Sequence, residues 1–600
     1  MLNMQIPKCC FIKNGLSLFL ILFNSLISFA QISSINIINI DSNVLVNTKL
    51  LFGITFDGRT SLIGSSNYGQ IGYYDTTGAI LPPIDSIFSD FPLTTVRYPA
   101  NGNAVGFEWK KSIGPLPRLA QDLLGNIGSP QPVNFGFDEF IEMCFEKGIT
   151  GDDIQIMVPI YDDNTTGLTN TQMLAAVPDV ISNNADWVEY CNSPNNGSNP
   201  GGGTDWAAVR AANGHPNPYN IKIWNIGNEP WAMGEFTAFN CANYLNTVTP
   251  IIDAMLAIDP TLKITMPTTG IGNGSWFSVL LNSTLAQQGK IYALSQHFFG
   301  DEQLSTPNPN IASCDTFLNN LITGAKTKGI KIIIGDYAHS IPSTNPTMAQ
   351  QDLAMQWRGA NFIADFLLML SQKSDIERAN FWTYGNVYAT WHPIKINING
   401  DYKLMPAAEI YKILQPAFLD KSIKVSNYSP TSSDGILYSV RSNAFVTNDL
   451  SKLNIVAVNR DRNNTERLKV YGLNGYNLSK ATLYNAQELT SDSIIKFETS
   501  ADVYDEYVMP ASSILILEFI VNSENIEKLI IQDKSIKCYP NPTNGNLIFS
   551  ETLENIEMFD FSGRQIISKK GTSNFISIEN MQPGVYFIKS GKTVLKFVID

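Results

Sequence analysis

The chain is poor in charge, and the charge that it carries is mostly negative. Charged residues make up 16% of its 600 residues, against about 25% in a typical soluble protein. The 54 acidic residues outnumber the 41 basic ones, which argues against nucleic acid as a partner, because neutralising phosphates requires clustered lysine and arginine. Hydrophobic residues still make up 44% of the chain, enough to build a sizeable folded core.

Histidine and cysteine are also scarce: the chain has four histidines and seven cysteines, and no two cysteines form a CxxC pair. Zinc sites need clustered histidine or cysteine ligands at short spacings. The scarcity argues against a metal centre, and we expect neither a metal nor an organic cofactor. Seven cysteines in a chain of this length also exclude a disulfide scaffold, although they leave room for one or two disulfides.

The N-terminus has the three parts of a secretory signal. Lys8 and Lys13 precede an apolar run over 16–26, and the small-residue pattern Ser-Phe-Ala follows at 28–30. This order predicts a cleaved signal peptide over 1–30. The alternative is a membrane anchor, but the run is short of the ~20 residues that span a bilayer. No later stretch is long and apolar enough to span one, so we expect a soluble, exported protein.

The C-terminus differs from the rest of the chain in its residue pattern. Residues 521–536 have the composition of a polar linker, and short alternating runs separated by glycine, proline and asparagine follow over 537–600. These runs predict a small all-β domain. The motifs at 539–545 (YPNPTNG), 556–564 (IEMFDFSGR) and 584–588 (GVYFI) resemble, in this order, the C-terminal sorting domain of type IX secretion substrates. The resemblance implies the type IX secretion machinery as a partner, and then release or surface attachment. An unrelated β-module for adhesion is the alternative.

Between these ends, short β-like runs alternate with helical patterns. Eight such runs occur at 51–56, 94–98, 154–159, 221–226, 262–266, 291–296, 331–334 and 379–383. Strands that alternate with helices in this number predict an α/β fold, a (β/α)8 TIM barrel over 51–415. An open doubly wound sheet is the alternative, but it would carry a glycine-rich phosphate loop after an early strand, and the sequence has none.

A barrel places its chemistry at the carboxyl ends of its strands, and Glu229 directly follows the fourth run. It lies in the stretch 224–231 (WNIGNEPW), among aromatic and apolar residues. Desolvation there would raise the pKa of the carboxyl and suit it to donate a proton. The neighbouring Asn228 offers a hydrogen bond to a sugar hydroxyl. The alternative is a carboxylate that only stabilises a helix N-terminus.

A second carboxylate follows the seventh run. Cleavage of a glycosidic bond uses two carboxyl groups on either side of the bond. Asp336 comes directly after 331–335 (KIIIG), and strands four and seven lie on opposite sides of an eight-stranded barrel. We therefore expect Glu229 and Asp336 to face each other across the barrel mouth. The alternative for Asp336 is a loop residue that caps the next turn.

The stretch 205–231 (DWAAVRAANGHPNPYNIKIWNIGNEPW) resembles the α-L-arabinofuranosidases of glycoside hydrolase family 51, retaining enzymes with a (β/α)8 barrel and a partner β-sandwich. Other segments agree in order, at 51–58, 96–115, 138–148, 186–192 and 509–517. The resemblance covers about 33–520. It implies that residues 31–50 and 416–520 pair into one β-sandwich beside the barrel.

The resemblance also implies roles for the two carboxylates. Glu229 corresponds to the general acid/base, and Asp336 to the nucleophile, which in the family is normally a glutamate. Aspartate is one methylene shorter, which sets its oxygen back by about 1 Å, a misplacement that can cost about 10²-fold. We expect further residues near the strand ends to bind the substrate: Asn228, Asp57, Arg97, Asn103, Trp231, His297, Tyr337 and Tyr384.

Together these patterns predict a secreted, retaining glycoside hydrolase that acts on polysaccharide side chains, with α-L-arabinofuranosides as the default substrate. Three alternatives stay open. The first is another activity of the same clan, such as an endo-glucanase or a xylosidase. The second is a carbohydrate-binding pseudo-enzyme, because the nucleophile position holds aspartate. The third is a surface adhesin that reuses the barrel.

Overall fold

A computed structural model describes much of the chain, which divides into two units, Met1–Ile520 and Val521–Asp600. The described residues are 32–37, 44–56, 73–75, 77–99, 107–118, 133–160, 178–231, 240–272, 274–300, 310–340, 347–385, 390–396, 401–433, 435, 438–473, 475–503, 505–521, 538–539, 545–560, 564–579, 581–591 and 593–599.

The strands follow one another along the whole chain. In chain order they are β1 Ile32–Ile37, β2 Val44–Asn47, β3 Gly53–Phe56, β4 Thr95–Tyr98, β5 Ile154–Val158, β6 Ile223–Ile226, β7 Lys263–Pro267, β8 Ala293–Gly300, β9 Lys331–His339, β10 Ile376–Tyr384, β11 Ile394–Ile396, β12 Tyr402–Leu404, β13 Lys421–Ile423, β14 Val425–Tyr428, β15 Val440–Val446, β16 Lys452–Asn459, β17 Glu466–Tyr471, β18 Tyr476–Asn485, β19 Ile495–Glu498, β20 Glu506–Met509, β21 Ile514–Val521, β22 Cys538–Tyr539, β23 Asn546–Asp560, β24 Gln565–Ser577, β25 Gly584–Ser590 and β26 Thr593–Ile599.

The helices lie between the barrel strands and just after them. They are Pro82–Phe88, Phe137–Glu146, Pro178–Asn192, Trp206–Ala212, Cys241–Ile258, Trp276–Leu281, Thr284–Gln287, Ile311–Lys326, Met348–Asp352, Trp357–Leu370 and Pro406–Ala417, with 3-10 turns at Thr48–Leu51 and Trp109–Lys111. Polar caps explain where several begin: the side chains of Asn240 and Asn310 each accept a hydrogen bond from the backbone three residues on. Such caps satisfy amide groups that the helix leaves unpaired.

The first unit is built on a closed barrel, as the sequence predicted. Its eight strands run in the order β10-β3-β4-β5-β6-β7-β8-β9, and the neighbouring strands pair in parallel. The predicted runs match these strands to within a few residues, except that β8 and β9 continue further. Because β9 reaches His339, Asp336 lies inside a strand rather than in the loop after it.

Beside the barrel, the described part of the first unit has a two-stranded sheet, β11-β12, and two larger sheets. One has seven strands in the order β19-β18-β21-β16-β15-β13-β2, and the other has four in the order β14-β1-β17-β20. Strands β1 and β2 precede the barrel in the chain, yet they pair with strands that follow it. Helix Trp357–Leu370 is almost wholly buried and packs on both β9 and β15. The domain limits stated above stay predictions.

The second unit is all-β. Strands β22, β23, β25 and β26 form a sheet in that order, and β24 pairs with β23. Its small core contains Leu547, Ile556, Met558, Ile588 and Phe597. Alternation of buried and exposed residues along β25 and β26 is the pattern of a sheet with one covered face.

Several features are absent from the described part of the chain. None of its helices has the length and apolar character needed to cross a bilayer. Within the same ranges, no three histidine, cysteine or acidic side chains are grouped so that they could hold a metal ion. The five described cysteines are free thiols, and all except Cys538 are buried.

Candidate active site

Polar side chains from four barrel strands meet at the carboxyl end of the barrel. Arg97 lies on β4, His297 on β8 and Asp336 on β9, while Asn228 and Glu229 follow β6 directly. The carboxyl ends of parallel barrel strands share one mouth, which explains how residues distant in sequence converge. Arg97 is fully buried and Asp336 nearly so, whereas the Glu229 side chain is 34% exposed.

The turn after β6 is tightly held, and this fixes Glu229. Asn225 Nδ2 donates to the Gly227 carbonyl at 2.6 Å, and the Tyr244 hydroxyl donates to the Ile226 carbonyl at 2.7 Å. Gly227 has a φ of 76°, a left-handed conformation that glycine adopts without strain. Glu229 has a φ of 40°, which is costly for a residue with a side chain. Strain of this kind often marks functional positions.

Arg97 organises the acidic residue on β9. Its Nη1 donates to Asp336 Oδ2 at 2.7 Å, and its Nη2 donates to Asn228 Oδ1 at 2.7 Å. The Thr55 hydroxyl donates to the other Asp336 oxygen, Oδ1. Both oxygens of Asp336 are therefore engaged, and its carboxylate is held in one orientation beside Asn228.

His297 joins the two carboxylates. Its Nδ1 lies 2.6 Å from Glu229 Oε1 and 3.5 Å from Asp336 Oδ2. Two atoms that share a neighbour are no further apart than the sum of the two distances, so these oxygens are separated by at most about 6.1 Å (2.6 plus 3.5 Å). Retaining glycosidases separate their carboxyl groups by ~5–5.5 Å and inverting ones by ~6.5–9.5 Å. The limit fits the retaining arrangement.

The position of His297 depends on a glycine in the next strand. A Cβ at Gly335 would lie 2.7 Å from His297 Nε2 and 2.3 Å from Ser295 Oγ. Both contacts are shorter than van der Waals packing allows. The imidazole can therefore rest on β9 only because residue 335 has no side chain.

The expectation of a raised pKa at Glu229 is wrong for this structure. Burial does push the pKa upward, but the charge of His297, its hydrogen bond and the charge of Arg97 outweigh burial, so the pKa lies below its ordinary value. The apolar neighbours of Glu229 can be read from the sequence, whereas its interactions with His297 and Arg97, which come from other strands, cannot.

Five of the predicted site residues come together: Glu229, Asp336, Asn228, Arg97 and His297. Trp231 lies two residues beyond Glu229, and its ring meets that of Trp276 edge-on, with the centroids 5.1 Å apart. Asp57 and Asn103 fall outside the described residues.

Tyr337 and Tyr384 were predicted to bind substrate, and the structure instead places both in the core. Tyr337 neighbours Asp336 on β9, so its side chain points to the opposite face, where it stacks on Phe366 at 5.1 Å. Tyr384 stacks on Phe56 at 4.8 Å. Both are at most 1% exposed, so neither ring is open to a ligand.

Other residues at the mouth were missed from the sequence. Besides Thr55, they form a small apolar group separate from the main core: Met157, Ala338 and Trp382, with Phe299 and Trp391 packed against them. Alternation along the strands was a usable signal for two of them, since Phe299 and Ala338 lie two residues beyond His297 and Asp336 on the same faces.

Comparison with family models gives two matches. Residues 87–308 match the alpha-L-arabinofuranosidase 1 domain, a stretch that contains Arg97, Asn228, Glu229 and His297. Residues 537–600 match the secretion system C-terminal sorting domain and lie within the second unit of the structure, Val521–Asp600.

Curated relatives resemble part of the chain. The probable alpha-L-arabinofuranosidase C of Aspergillus fumigatus is 26% identical over 228 residues, which are 37% of this chain and 39% of that protein. The intracellular exo-alpha-(1->5)-L-arabinofuranosidase of Halalkalibacterium halodurans is 23% identical over 181 residues, 30% of each chain. The matched part of the chain thus spans less than two fifths of these relatives' length.

Solved structures resemble about four fifths of the chain. The alpha-L-arabinofuranosidase of Thermotoga maritima, in an arabinose complex, aligns with a TM-score of 0.61 at 19% identity, covering 82% of this chain and 99% of that one. A family 51 alpha-L-arabinofuranosidase of Bifidobacterium longum aligns with a TM-score of 0.60 at 19% identity, covering 81% and 99%. Together with the two family models, these structures confirm the resemblance to family 51 arabinofuranosidases with a secretion sorting domain that the sequence predicted.

Proposed function

We propose that this chain is an exported glycoside hydrolase that cleaves α-L-arabinofuranosides with retention of configuration. The observation that carries the proposal is the convergence of Glu229 and Asp336 on His297, which limits their separation to a distance that suits one sugar ring between them. The arabinofuranosidase match over 87–308 supports the choice of sugar.

In the proposed mechanism the two carboxylates act in sequence. Glu229 protonates the leaving oxygen while Asp336 attacks the anomeric carbon, and a glycosyl ester forms on Asp336. Glu229 then removes a proton from water, which attacks the anomeric carbon, breaks its bond to the Asp336 oxygen and releases the sugar with its original configuration and Asp336 as a carboxylate. Arg97 and Thr55 orient Asp336 for the attack, and Asn228 lies beside it to receive a sugar hydroxyl.

The exposure of Glu229 fits its proposed role. A proton donor must reach the leaving oxygen and later a water molecule, and the Glu229 side chain is open to the mouth while Asp336 is nearly buried. Because interactions with His297 and Arg97 lower its pKa in spite of burial, the acid form of Glu229 is favoured at low pH. We therefore expect an acidic pH optimum.

A sugar-binding protein without hydrolysis is the second candidate, and one observation favours it. Both oxygens of Asp336 already have donors, Thr55 and Arg97, and its side chain is 4% exposed. An aspartate held back in this way would bind a glycan yet fail to reach the anomeric carbon.

A panel of nitrophenyl glycosides separates these candidates. We expect release from the α-L-arabinofuranoside by the wild type, and at most slow release from the xyloside and glucoside. Release of nitrophenol from a pyranoside alone would show that the chain has another activity of the clan and is not an arabinofuranosidase. Binding of arabino-oligosaccharides without release from any glycoside would favour the sugar-binding protein.

Export is part of the proposal. Residues 1–30 would act as the signal peptide, and 537–600 would engage the type IX secretion machinery, for which the sorting-domain match gives support. In a host with that machinery, the full chain should reach the medium or the cell surface. A variant that lacks 537–600 should stay in the periplasm, and secretion of that variant at the wild-type level would contradict the assignment.

A further inference from the structure

An aromatic pair lies at the barrel mouth, directly beyond the candidate site. Phe299 follows His297 by two residues on β8, and Ala338 follows Asp336 by two residues on β9, so that each step along these strands moves outward from the carboxylates. The Trp391 ring lies 5.2 Å from that of Phe299, at an angle of 57°. Both rings are half-buried, which leaves aromatic surface exposed next to the site.

Trp391 is also tied to the strand that carries Asp336. Its indole Nε1 donates to the His339 carbonyl at 2.9 Å, three residues beyond Asp336. This hydrogen bond satisfies the only polar atom of the ring and turns its apolar surface toward Phe299 and the apolar group around Trp382. Ligand clefts typically combine such aromatic surface with a few polar groups.

The segment that carries Trp391 is held by a set of charged residues. Lys395 Nζ lies 3.2 Å from Asp352 Oδ2 and 2.8 Å from Asp492 Oδ2. His392 Nε2 lies 3.4 Å from Asp352 Oδ1, and Gln356 Nε2 donates to Asp492 Oδ1 at 2.8 Å. Asp492 belongs to the connection between β18 and β19. The seven-stranded sheet thereby helps to fix a loop at the mouth of the barrel.

This anchoring has a consequence for binding. A large side chain that is already fixed in the free protein loses little freedom when a ligand packs on it. Ring surface that stays exposed beside a polar cleft is also a common mark of a binding site. The rings of Tyr337 and Tyr384, by contrast, are closed off in the core.

We propose that Trp391 and Phe299 form an aromatic wall on which a sugar ring of the substrate stacks. The apolar C–H face of the sugar would lie against the indole, and its hydroxyls would point to the polar residues of the site. Lys395 and Asp352 act as positioning residues for the wall. The choice of an arabinofuranose-containing glycan as the ligand rests on the proposed function.

Binding of α-1,5-linked arabinotriose tests the wall. The full chain with Glu229→Gln is used, so that the ligand is not consumed, and affinity is measured by calorimetry. Adding Trp391→Ala should weaken binding at least tenfold, and Trp391→Phe should weaken it less than threefold. The loss of affinity caused by Lys395→Met should lie between the losses caused by Trp391→Phe and Trp391→Ala. Tyr428→Ala, which removes a ring 65% exposed on the four-stranded sheet outside the barrel, serves as the control and should leave the affinity unchanged.

Tryptophan fluorescence is a second measurement, and its change on ligand binding would not depend on Trp391 if that residue only stabilised the fold. Arabinotriose should change the emission of the Glu229→Gln protein, and most of that change should disappear with Trp391→Phe. Unchanged affinity in the Trp391→Ala variant, or an undiminished fluorescence change in the Trp391→Phe variant, would overturn the wall. A loss of thermal stability without a loss of affinity would likewise assign Trp391 to packing alone.

The outcomes separate this inference from the proposed function. If arabinotriose binds and depends on Trp391, but the wild type never hydrolyses it, the wall stands and the enzyme assignment fails. If the wild type hydrolyses it and Trp391→Ala leaves affinity and KM unchanged, the enzyme stands and the wall fails. If arabinotriose binds neither to the wild type nor to the Glu229→Gln protein, both the aromatic wall and the proposed function are overturned.

Discussion

Two buried arginine–aspartate pairs lie in the first unit, and they differ in what surrounds them. At the barrel mouth, Arg97 Nη1 is 2.7 Å from Asp336 Oδ2; beside helix Trp357–Leu370, Arg441 Nε is 2.6 Å from Asp365 Oδ1. All four side chains are less than a tenth exposed. By distance and burial alone the two pairs could not be told apart.

The Arg441–Asp365 pair beside the helix is surrounded by side chains that hydrogen-bond to it. The Tyr438 hydroxyl lies 3.0 Å and 3.1 Å from the two Asp365 oxygens, and Arg441 also contacts that hydroxyl and Gln372. The Arg441 guanidinium lies over the Tyr438 ring at 4.5 Å. These contacts join the helix to β15, so the pair serves the fold.

The Arg97–Asp336 pair at the mouth is instead connected, through His297, to a second acidic residue, Glu229. Asp336 lies 3.5 Å from His297 Nδ1, and the same nitrogen contacts Glu229, whose side chain is one third exposed. The described structure gives Arg97 Nε no hydrogen-bond partner. The comparison indicates that burial of an ion pair does not by itself mark a site, whereas its connection to an exposed, strained carboxylate does.

The largest expected effect is a loss of activity at the barrel mouth, where the Arg97–Asp336 pair is connected to Glu229. Glu229→Gln removes the proton donor, so hydrolysis of arabinotriose should fall by about 10²–10⁴-fold. Folding should be unaffected, because the side chain is partly exposed. Turnover and the thermal midpoint are measured together. A variant that keeps more than a tenth of wild-type turnover would show that Glu229 is not the acid.

The second effect separates them by stability. Asp365→Ala leaves Arg441 buried without its partner, which should lower the free energy of unfolding by about 3–5 kcal/mol. Urea unfolding measures the loss, and the turnover of folded molecules should be retained. As a matched control, Asp253→Ala breaks an exposed pair with Lys290 and should cost less than ~1 kcal/mol. Equal losses in the two variants would refute the structural role of Asp365.

A third effect tests whether His297 must rest on β9. Gly335→Ala introduces a Cβ 2.7 Å from the imidazole, and the displaced ring should disturb Glu229 enough to lower kcat by about 10²-fold. Gly272→Ala is the control, because nothing lies within 4 Å of its Cβ. If both variants turn over at the same rate, the close approach at Gly335 has no part in the chemistry.

The smallest effect is a shift in pH dependence. His297 and Arg97 lower the pKa of Glu229 against the effect of burial. Replacing His297 with asparagine should therefore raise that pKa and move the alkaline limb of kcat/KM to higher pH, since this limb reports the acid in the free enzyme. His215→Asn, far from the mouth beside Glu142, should leave the limb in place. If the alkaline limb stays in place or moves to lower pH in the His297→Asn variant, His297 does not lower the pKa of Glu229.

Much of the fold could be predicted because barrel strands are short, apolar and evenly separated by helices. The two carboxylates could be found because each stands at or near the end of such a run. Tyr337 could not be placed in this way, because β9 continues for five residues beyond the predicted run at 331–334. Its alternation then turns Tyr337 away from the face that holds Asp336.

Contacts made by barrel closure were beyond the reach of the sequence. Thr55 reaches Asp336 across β10, because β10 pairs with β3 on one side and with β9 on the other. The lowered pKa of Glu229 likewise depends on His297, 68 residues away in the chain. Local composition describes the apolar neighbours of a residue, and it does not reveal which charges the fold brings to it.

The most direct test of the account is the configuration of the first product. Proton NMR during hydrolysis of an α-L-arabinofuranoside by the wild type records which anomer of arabinose is formed before mutarotation. Because Glu229 Oε1 and Asp336 Oδ2 are no more than about 6.1 Å apart (2.6 plus 3.5 Å), we expect the α-anomer, formed through an ester on Asp336. Initial formation of the β-anomer would contradict the proposed roles of Glu229 and Asp336.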